Sequence, residues 1–123
     1  MAYERNCAVC GFDLRLGDAN LGLEAAHIQW HAYEGPDKVD NGIALCTFHH
    51  KAFDRGAFKL EPNADCYRII VSQDISGGPS SKAQLTDYHG LTLHQPQTPQ
   101  DGPQLRYAIW HANEVFHGPE RPL

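Results

Sequence analysis

Apolar residues along this chain fall in short blocks separated by polar and glycine-rich stretches, a pattern that predicts short strands and helices. Residues 21–28 are typical of a short strand, and Ile43-Ala44-Leu45 indicates a second, briefer one. Residues 47–55 predict a short helix that Gly56 ends as a C-cap residue. The first half of the chain therefore predicts two strands followed by a helix.

The second half predicts a hairpin, a linker and one more helix. Residues 57–60 and 67–72 are strand-like and flank the turn-forming residues 61–65. Residues 76–103 are rich in Gly, Pro, Ser and Gln, which is typical of a loop or linker. A helix then runs from about Pro103 to His117. Its predicted apolar face consists of Leu105, Ala108, Ile109, Ala112, Val115 and Phe116.

Length and charge limit the function classes. The 123 residues, 41% of them hydrophobic, suit one globular domain over residues 1–123. Ten Lys and Arg against fifteen Asp and Glu give a net charge of -5, which argues against a domain that holds nucleic acid by bulk positive charge. No apolar run approaches the ~18 residues of a membrane helix, and no signal-peptide stretch is seen, so we expect a cytoplasmic protein without a membrane partner.

Two pairs of metal-ligand residues stand far apart in the chain. Cys7 and Cys10 form a C-x2-C knuckle, and Cys46 and His49 form a C-x2-H knuckle. Each knuckle presents two ligands from one tight turn, and two knuckles complete the tetrahedron of a structural Zn²⁺ site. The spacing therefore predicts a structural zinc site on these four side chains.

Other interpretations of the cysteines stay open at this point. The C-x-x-C pair suits a redox site, although no thioredoxin-like strand-helix pattern surrounds it. Disulfides would suit a secreted protein, of which there is no sign. Ordinary buried thiols are the third alternative. Cys66 lies in a strand-like segment, and we interpret it as a core thiol, with replacement of His49 as zinc ligand as the lesser alternative.

A second constellation consists of His27, Asn41 and His50. They stand in Ala26-His27-Ile28, in Asn41-Gly42-Ile43-Ala44-Leu45-Cys46, and in the segment His50-Lys51-Ala52-Phe53-Asp54-Arg55-Gly56. This order resembles the HNH nucleases with a ββα-metal fold, over about residues 7–60. Weaker similarity continues to residues 110–116 and resembles the catalytic domain of type IV restriction enzymes, which cut phosphorothioated or methylated DNA.

The resemblance implies a small α+β fold, namely a ββα-metal domain with a structural zinc site, an extra β-hairpin and a C-terminal helix over residues 61–123. It also implies roles for the three residues. His27 would be the general base, since histidine accepts protons near neutral pH. Asn41 would pin the connection opposite His27 and orient its ring, although an ordinary turn Asn before Gly explains the pattern nearly as well.

The resemblance makes His50 a ligand of the catalytic cation. His50 and Asp54 lie four residues apart on one helix face, which suits two ligands of one cation, whereas spacing alone would favour a solvated surface pair. Many HNH enzymes carry a further ligand immediately before the base, where this chain has Ala26. Glu24, on the strand, is a candidate for an indirect role, in which it would support the metal site without being one of the ligands.

The function expected from the resemblance is a metal-dependent DNA endonuclease domain that uses Mg²⁺ or Mn²⁺ for catalysis beside the structural Zn²⁺. The alternative is a zinc-stabilised, non-catalytic module that binds nucleic acid or another partner. A pure scaffold needs the knuckles but not all of His27, Asn41 and His50, which favours catalysis. We expect DNA as partner, a modified-DNA recognition domain in the same or a partner chain, and allow for a homodimer. Because Met1 stands only six residues before Cys7, we expect no reader domain upstream.

Overall fold

The computed structural model describes residues 6–96 and 98–123. Residues 1–5 and 97, from the polar leading segment and the predicted linker, lie outside the described residues. The elements in chain order are β1 Arg15–Leu16, β2 Ala19–Asn20, β3 Leu23–His27, β4 Gly42–Cys46, α1 Thr47–Asp54, β5 Phe58–Asn63, β6 Cys66–Val71, α2 Pro79–Gln84 and α3 Leu105–Glu114. Single 3-10 turns lie at His31–Tyr33, Val39–Asn41, Thr86–Tyr88 and Pro99–Asp101.

The β3-β4-α1 unit is the central part of the fold. β3 pairs antiparallel with β4, so that Leu23 lies opposite Cys46 and His27 opposite Gly42. α1 follows β4 without a loop and packs against β3, β4 and β5. The predicted fold class, a small α+β ββα-metal domain with a hairpin and a C-terminal helix, is confirmed.

Gly56 ends α1 as predicted, and the structure adds a second reason for glycine there. Its φ of +78° lies in the left-handed region, which non-glycine residues rarely adopt. A Cβ atom at this position would lie 2.2 Å from the carbonyl oxygen of Val115. The end of α1 therefore meets the end of α3 at a distance that only glycine allows.

The β5-β6 hairpin is longer than predicted, because its turn is tighter. The strands pair down to Asn63 opposite Cys66, so only Ala64 and Asp65 connect them, where a loop over residues 61–65 was expected. Ala64 reaches this two-residue turn with a φ of +57°. Cys66 is half-buried at the turn, and its thiol donates to the carbonyl of Asn63 at 3.1 Å. The prediction of a core thiol at Cys66 is therefore wrong.

The predicted linker over residues 76–103 is instead packed against the domain. It contains α2, and two of its three leucines, Leu85 and Leu93, are buried in the core, whereas Leu91 is exposed. The Leu93 amide also donates to the Tyr67 carbonyl at 2.8 Å, which ties the segment to β6. Composition indicated a loop because glycine and proline outnumber the apolar residues, yet two well-placed leucines suffice to anchor the segment.

α3 buries a different face from the predicted one. Tyr107, Ala108 and His111 are buried, whereas Leu105 is 50% exposed and Ile109 47% exposed. The reason is His111, whose ring stacks on Phe53 with the ring centroids 3.7 Å apart and whose Nε2 lies 2.8 Å from the Phe53 carbonyl oxygen. Histidine is treated as a polar residue when the buried face of a helix is predicted from the spacing of apolar residues. His111 nevertheless lies in the core, because its ring is hydrogen-bonded. None of the described helices is long and apolar enough to cross a membrane.

Candidate metal centre and active site

The zinc knuckle cluster comprises Cys7, Cys10, Cys46 and His49, and the fold brings these four residues together. Their candidate ligand atoms all lie within 4.8 Å of one another, and the cysteines are free thiols. Nδ1 of His49 lies 3.2 Å from Sγ of Cys46 and 3.7 Å from Sγ of Cys7. Two ligands on one tetrahedral zinc ion are separated by about 3.6 Å. The four side chains could therefore hold a zinc ion, whereas Cys66 is not part of the cluster.

The other ring nitrogen of His49 is held by the main chain. Nε2 lies 2.7 Å from the carbonyl oxygen of Gln84, to which it donates its hydrogen. A histidine that donates from one nitrogen presents the lone pair of the other to a metal, here Nδ1. Gln84 ends α2 within the segment expected to be a linker, so the sequence pattern did not indicate this contact.

The acidities of the three thiols also fit a cation. Burial would raise the pKa of Cys7, but hydrogen bonds to His49 and to backbone amides outweigh it and lower that pKa to about 6. Burial, with the negative charge of Cys7 adding to it, raises the pKa of Cys10 to about 12, and burial likewise raises the pKa of Cys46. The cluster thus favours one thiolate without a metal, and a divalent cation would stabilise all three.

A second group of side chains lines an open groove of about 370 Å³. We call it the His27–His50 groove. It is lined by Ala25, His27, Trp30, His31, His50 and Asp54. His27 ends β3, and His50 and Asp54 come from α1. The expected general base and the expected ligand pair of the catalytic cation therefore face one space.

His50 lies between two carboxylates. Its Nδ1 is 2.7 Å from Oε1 of Glu24, and its Nε2 is 3.2 Å from Oδ2 of Asp54. The Nε2–Asp54 separation suits two ligands of one cation, and Glu24 on the far side of the ring would then fix its tautomer. Ala26 is 1% exposed in the core, so the groove gains no ligand from the position before His27.

Partial burial also affects Asp54. Burial raises the pKa of its carboxyl group, while His50 and the Trp30 side chain act in the opposite direction. A carboxylate that has lost part of its hydration gains more from a nearby cation than a fully solvated one. Asp54 is thus placed to hold a cation together with His50.

Asp37 is the partner of His27 that sequence reasoning missed. Its Oδ1 lies 2.6 Å from Nε2 of His27, and the hydrogen bond to His27 lowers the pKa of the Asp37 carboxyl group. The sequence showed Asp37 only as part of a Gly-Pro-Asp turn. The one signal was an acidic residue in a loop that must return beside the end of β3.

Asn41 is fully buried and acts on the loop rather than on the ring of His27. Its Oδ1 accepts from the Gln29 amide at 2.9 Å, and its Nδ2 donates to the carbonyls of Gln29 and Pro36, both at 3.0 Å. Gln29 follows His27 by two residues, and Pro36 precedes Asp37. Asn41 therefore fixes the two ends of the loop that carry His27 and Asp37, and it makes no hydrogen bond to the His27 ring itself.

Comparison with known proteins shows which family and which solved structure this chain is similar to. Residues 7–61 match the family described as HNH endonuclease. The fold is similar to that of a solved structure, the modification-dependent TagI restriction endonuclease, with a TM-score of 0.63 and 20% sequence identity. That alignment covers 93% of this chain and 34% of the other, so the chain spans about a third of that enzyme's length. No curated protein matches significantly.

These comparisons confirm the resemblance noted from the motifs. Residues 7–61 resemble HNH endonucleases in sequence, and the fold resembles that of a modification-dependent restriction endonuclease. The family match and the structural neighbour together support a nuclease domain.

Proposed function

We propose that this chain is a metal-dependent DNA endonuclease domain and the cutting module of a modification-dependent restriction enzyme, starting from the match of residues 7–61 to HNH endonucleases. The observation that carries the proposal is the shared groove. His27, a base held by a carboxylate, and the His50–Asp54 pair, a ligand set for a cation, line the same open space.

Phosphodiester hydrolysis needs a proton acceptor for the attacking water. Nε2 of His27 donates to Asp37, which leaves the lone pair of Nδ1 to take the proton. Asp37 is then a positioning residue, because it sets the tautomer and the direction of the ring. Asn41 supports both by holding the loop.

The reaction also needs compensation of phosphate charge. A divalent cation such as Mg²⁺ or Mn²⁺ supplies that compensation and stabilises the leaving oxygen when bound. His50 and Asp54 would hold it, and Glu24 would fix the ring of His50 through Nδ1. Lys51 on the same helix and Arg55 directly after it are exposed and are placed to contact neighbouring phosphates.

Charge supports a division of labour between cutting and recognition. The net charge of -5 disfavours tight binding to DNA by this chain alone. The TagI enzyme, a modification-dependent restriction endonuclease, is about three times as long as the part that this chain matches. We therefore assign recognition of phosphorothioated or methylated DNA to a separate domain, in the same or a partner chain.

Cleavage of supercoiled plasmid, with and without Mg²⁺ or Mn²⁺, tests the proposal. We expect metal-dependent nicking or linearisation, and a loss of roughly 10²–10⁴-fold in His27→Ala, because a positioned general base contributes about that much. His50→Ala should also lose cleavage. Both variants should keep their zinc content and melting temperature, because neither side chain belongs to the zinc knuckle cluster.

His117→Ala is the matched control. His117 forms a similar exposed pair with Asp74, at 2.7 Å, but does not line the His27–His50 groove. It should cut like the unaltered protein. A His27→Ala protein that cuts normally would overturn the proposal, and a folded, zinc-loaded protein that never cuts would favour a zinc-stabilised binding module.

A further inference from the structure

We propose that His27, His31 and Asp37 form a second metal site, which binds a transition-metal cation such as Zn²⁺ and so blocks the groove. We call it the loop metal site. That it binds a cation rests on the geometry of these three residues alone. That the cation inhibits cleavage rests on the proposed function, because it requires His27 to be the base.

The three side chains converge from one short stretch of chain. Their candidate ligand atoms all lie within 4.8 Å of one another. His27 and Asp37 are 2.6 Å apart, and the rings of His27 and His31 have centroids 6.2 Å apart at 63°. Ligands on one zinc ion lie roughly 3–4 Å apart, so small side-chain rotations bring all three onto one ion.

The main chain already holds this stretch in shape. The amides of Tyr33 and Gly35 both donate to the Trp30 carbonyl at 2.9 Å, and the Glu34 amide donates to the His31 carbonyl at 3.1 Å. A Cβ atom at Gly35 would lie 1.8 Å from the Gln29 carbonyl oxygen, which shows how tightly the loop folds. The fold therefore already restricts the backbone that carries the three ligands, so that binding a cation costs less conformational entropy.

The donor set selects the class of cation. Two neutral imidazoles and one carboxylate suit Zn²⁺, Ni²⁺ or Cu²⁺, whereas Mg²⁺ prefers oxygen ligands. The side chain of His27 is 40% exposed and that of Asp37 is 74% exposed, so solvent can complete the coordination. The loop metal site is thus open, unlike the zinc knuckle cluster.

Binding there would use the groups on which the His27–His50 groove depends. A neutral imidazole that binds a metal through one nitrogen carries its hydrogen on the other, so neither nitrogen of His27 could then accept a proton, and Asp37 would turn from the His27 ring toward the cation. Bound zinc would therefore inhibit cleavage by preventing His27 from accepting a proton, whereas Mg²⁺ would not inhibit in this way.

Titration of ZnCl₂ into the chain with its structural zinc loaded, followed by calorimetry, tests binding without reference to activity. We expect one additional site, with affinity at least about tenfold weaker in His31→Ala and Asp37→Ala, because each removes one of three ligands. His117→Ala is the matched control, since the His117–Asp74 pair has the same chemistry without a third ligand among the residues that the structure describes. It should bind zinc like the unaltered chain, and so should His50→Ala.

Two results would overturn the site: no additional zinc in the unaltered chain, or additional zinc that His50→Ala loses and His31→Ala keeps. The second readout is the rate of plasmid cleavage in Mg²⁺ with added ZnCl₂. The rate of each protein is compared with its own rate without added ZnCl₂. His31→Ala should need at least about tenfold more zinc for half inhibition. Zinc binding without any cleavage would refute the proposed function and leave the loop metal site standing, whereas cleavage that bound zinc does not slow would refute the inhibition.

Discussion

Helix α1 carries two neighbouring histidines that lie in opposite environments. His49 is 1% exposed and joins three cysteines in the zinc knuckle cluster, while the side chain of His50 is 26% exposed and lines the His27–His50 groove. A one-residue step on a helix turns the side chain by about 100°, which is enough to separate core from solvent. Closed four-ligand sites are structural and open ones catalytic, so burial decides what each imidazole can do.

The partners of the histidines follow the same division. Buried His49 and His111 each place Nε2 near a main-chain carbonyl, at 2.7 and 2.8 Å, which suits neutral rings in the core. The partly buried rings of His27 and His50 meet carboxylates instead. Carboxylates concentrate negative charge at the groove, where the proposed mechanism requires a bound cation and a proton acceptor.

The largest effect should come from breaking the buried cluster. In Cys46→Ser the loss of a ligand should release the zinc and leave the domain unfolded or with a sharply lower melting temperature. Zinc binding is folding free energy when the unfolded chain has no site, and it amounts to roughly 10 kcal/mol in small zinc domains. Metal analysis and thermal melting by circular dichroism measure both consequences.

Cys66→Ser is the matched control for this experiment. Cys66 is also a free cysteine, but its thiol contacts the Asn63 carbonyl outside the cluster. It should keep the zinc and melt near the unaltered protein. Equal effects of the two substitutions, or an absence of zinc in the unaltered protein, would contradict a structural zinc site.

A smaller effect should come from the buried His111 when the pH is lowered. Burial lowers the pKa of His111 from 6.5 to about 4, against an opposing hydrogen bond to the Phe53 carbonyl. As the pH falls below 6.5, the His111 side chain binds a proton in the unfolded chain but not in the folded chain. The stability present above pH 6.5 is therefore lost progressively towards pH 4, by about 2 kcal/mol between pH 7 and 5.

Urea unfolding at pH 7 and 5 measures this loss, with His111→Gln as the comparison. Glutamine can still donate to the Phe53 carbonyl but does not titrate, so the variant should lose less stability over the same interval. Protonation of the zinc ligands contributes to both proteins and cancels in the difference. Equal losses in the two proteins would show that His111 is not the titrating group.

The smallest effect concerns the exposed His27–Asp37 pair. The hydrogen bond to His27 lowers the pKa of Asp37, so His27→Ala should raise that pKa towards the ordinary aspartate value. A carboxyl carbon NMR titration of both proteins measures the change. An Asp37 that titrates alike in the two proteins would show that the contact does not persist in solution, and would remove Asp37 from its positioning role.

The sequence alone determined the features that depend on local spacing. Both zinc knuckles, the shared helix face of His50 and Asp54 on α1, and the end of α1 at Gly56 follow from the geometry of a tight turn or a single helical turn, which neighbouring residues set. The strands β3 and β4 and the β5-β6 hairpin were also predictable, except for the tight turn at Ala64. The interpretation of His27 as the base came from the order of separated motifs rather than from physics.

The contacts between residues that are distant in the sequence depend on the tertiary structure. The partners Asp37, Glu24 and the Gln84 carbonyl stand 10, 26 and 35 residues from the histidines they contact. Such pairings depend on how loops return to the sheet and on what the core excludes, neither of which a local pattern contains. The buried face of α3 is the same case, because the stacking of His111 on Phe53 determined the orientation of a helix whose apolar residues predicted another one.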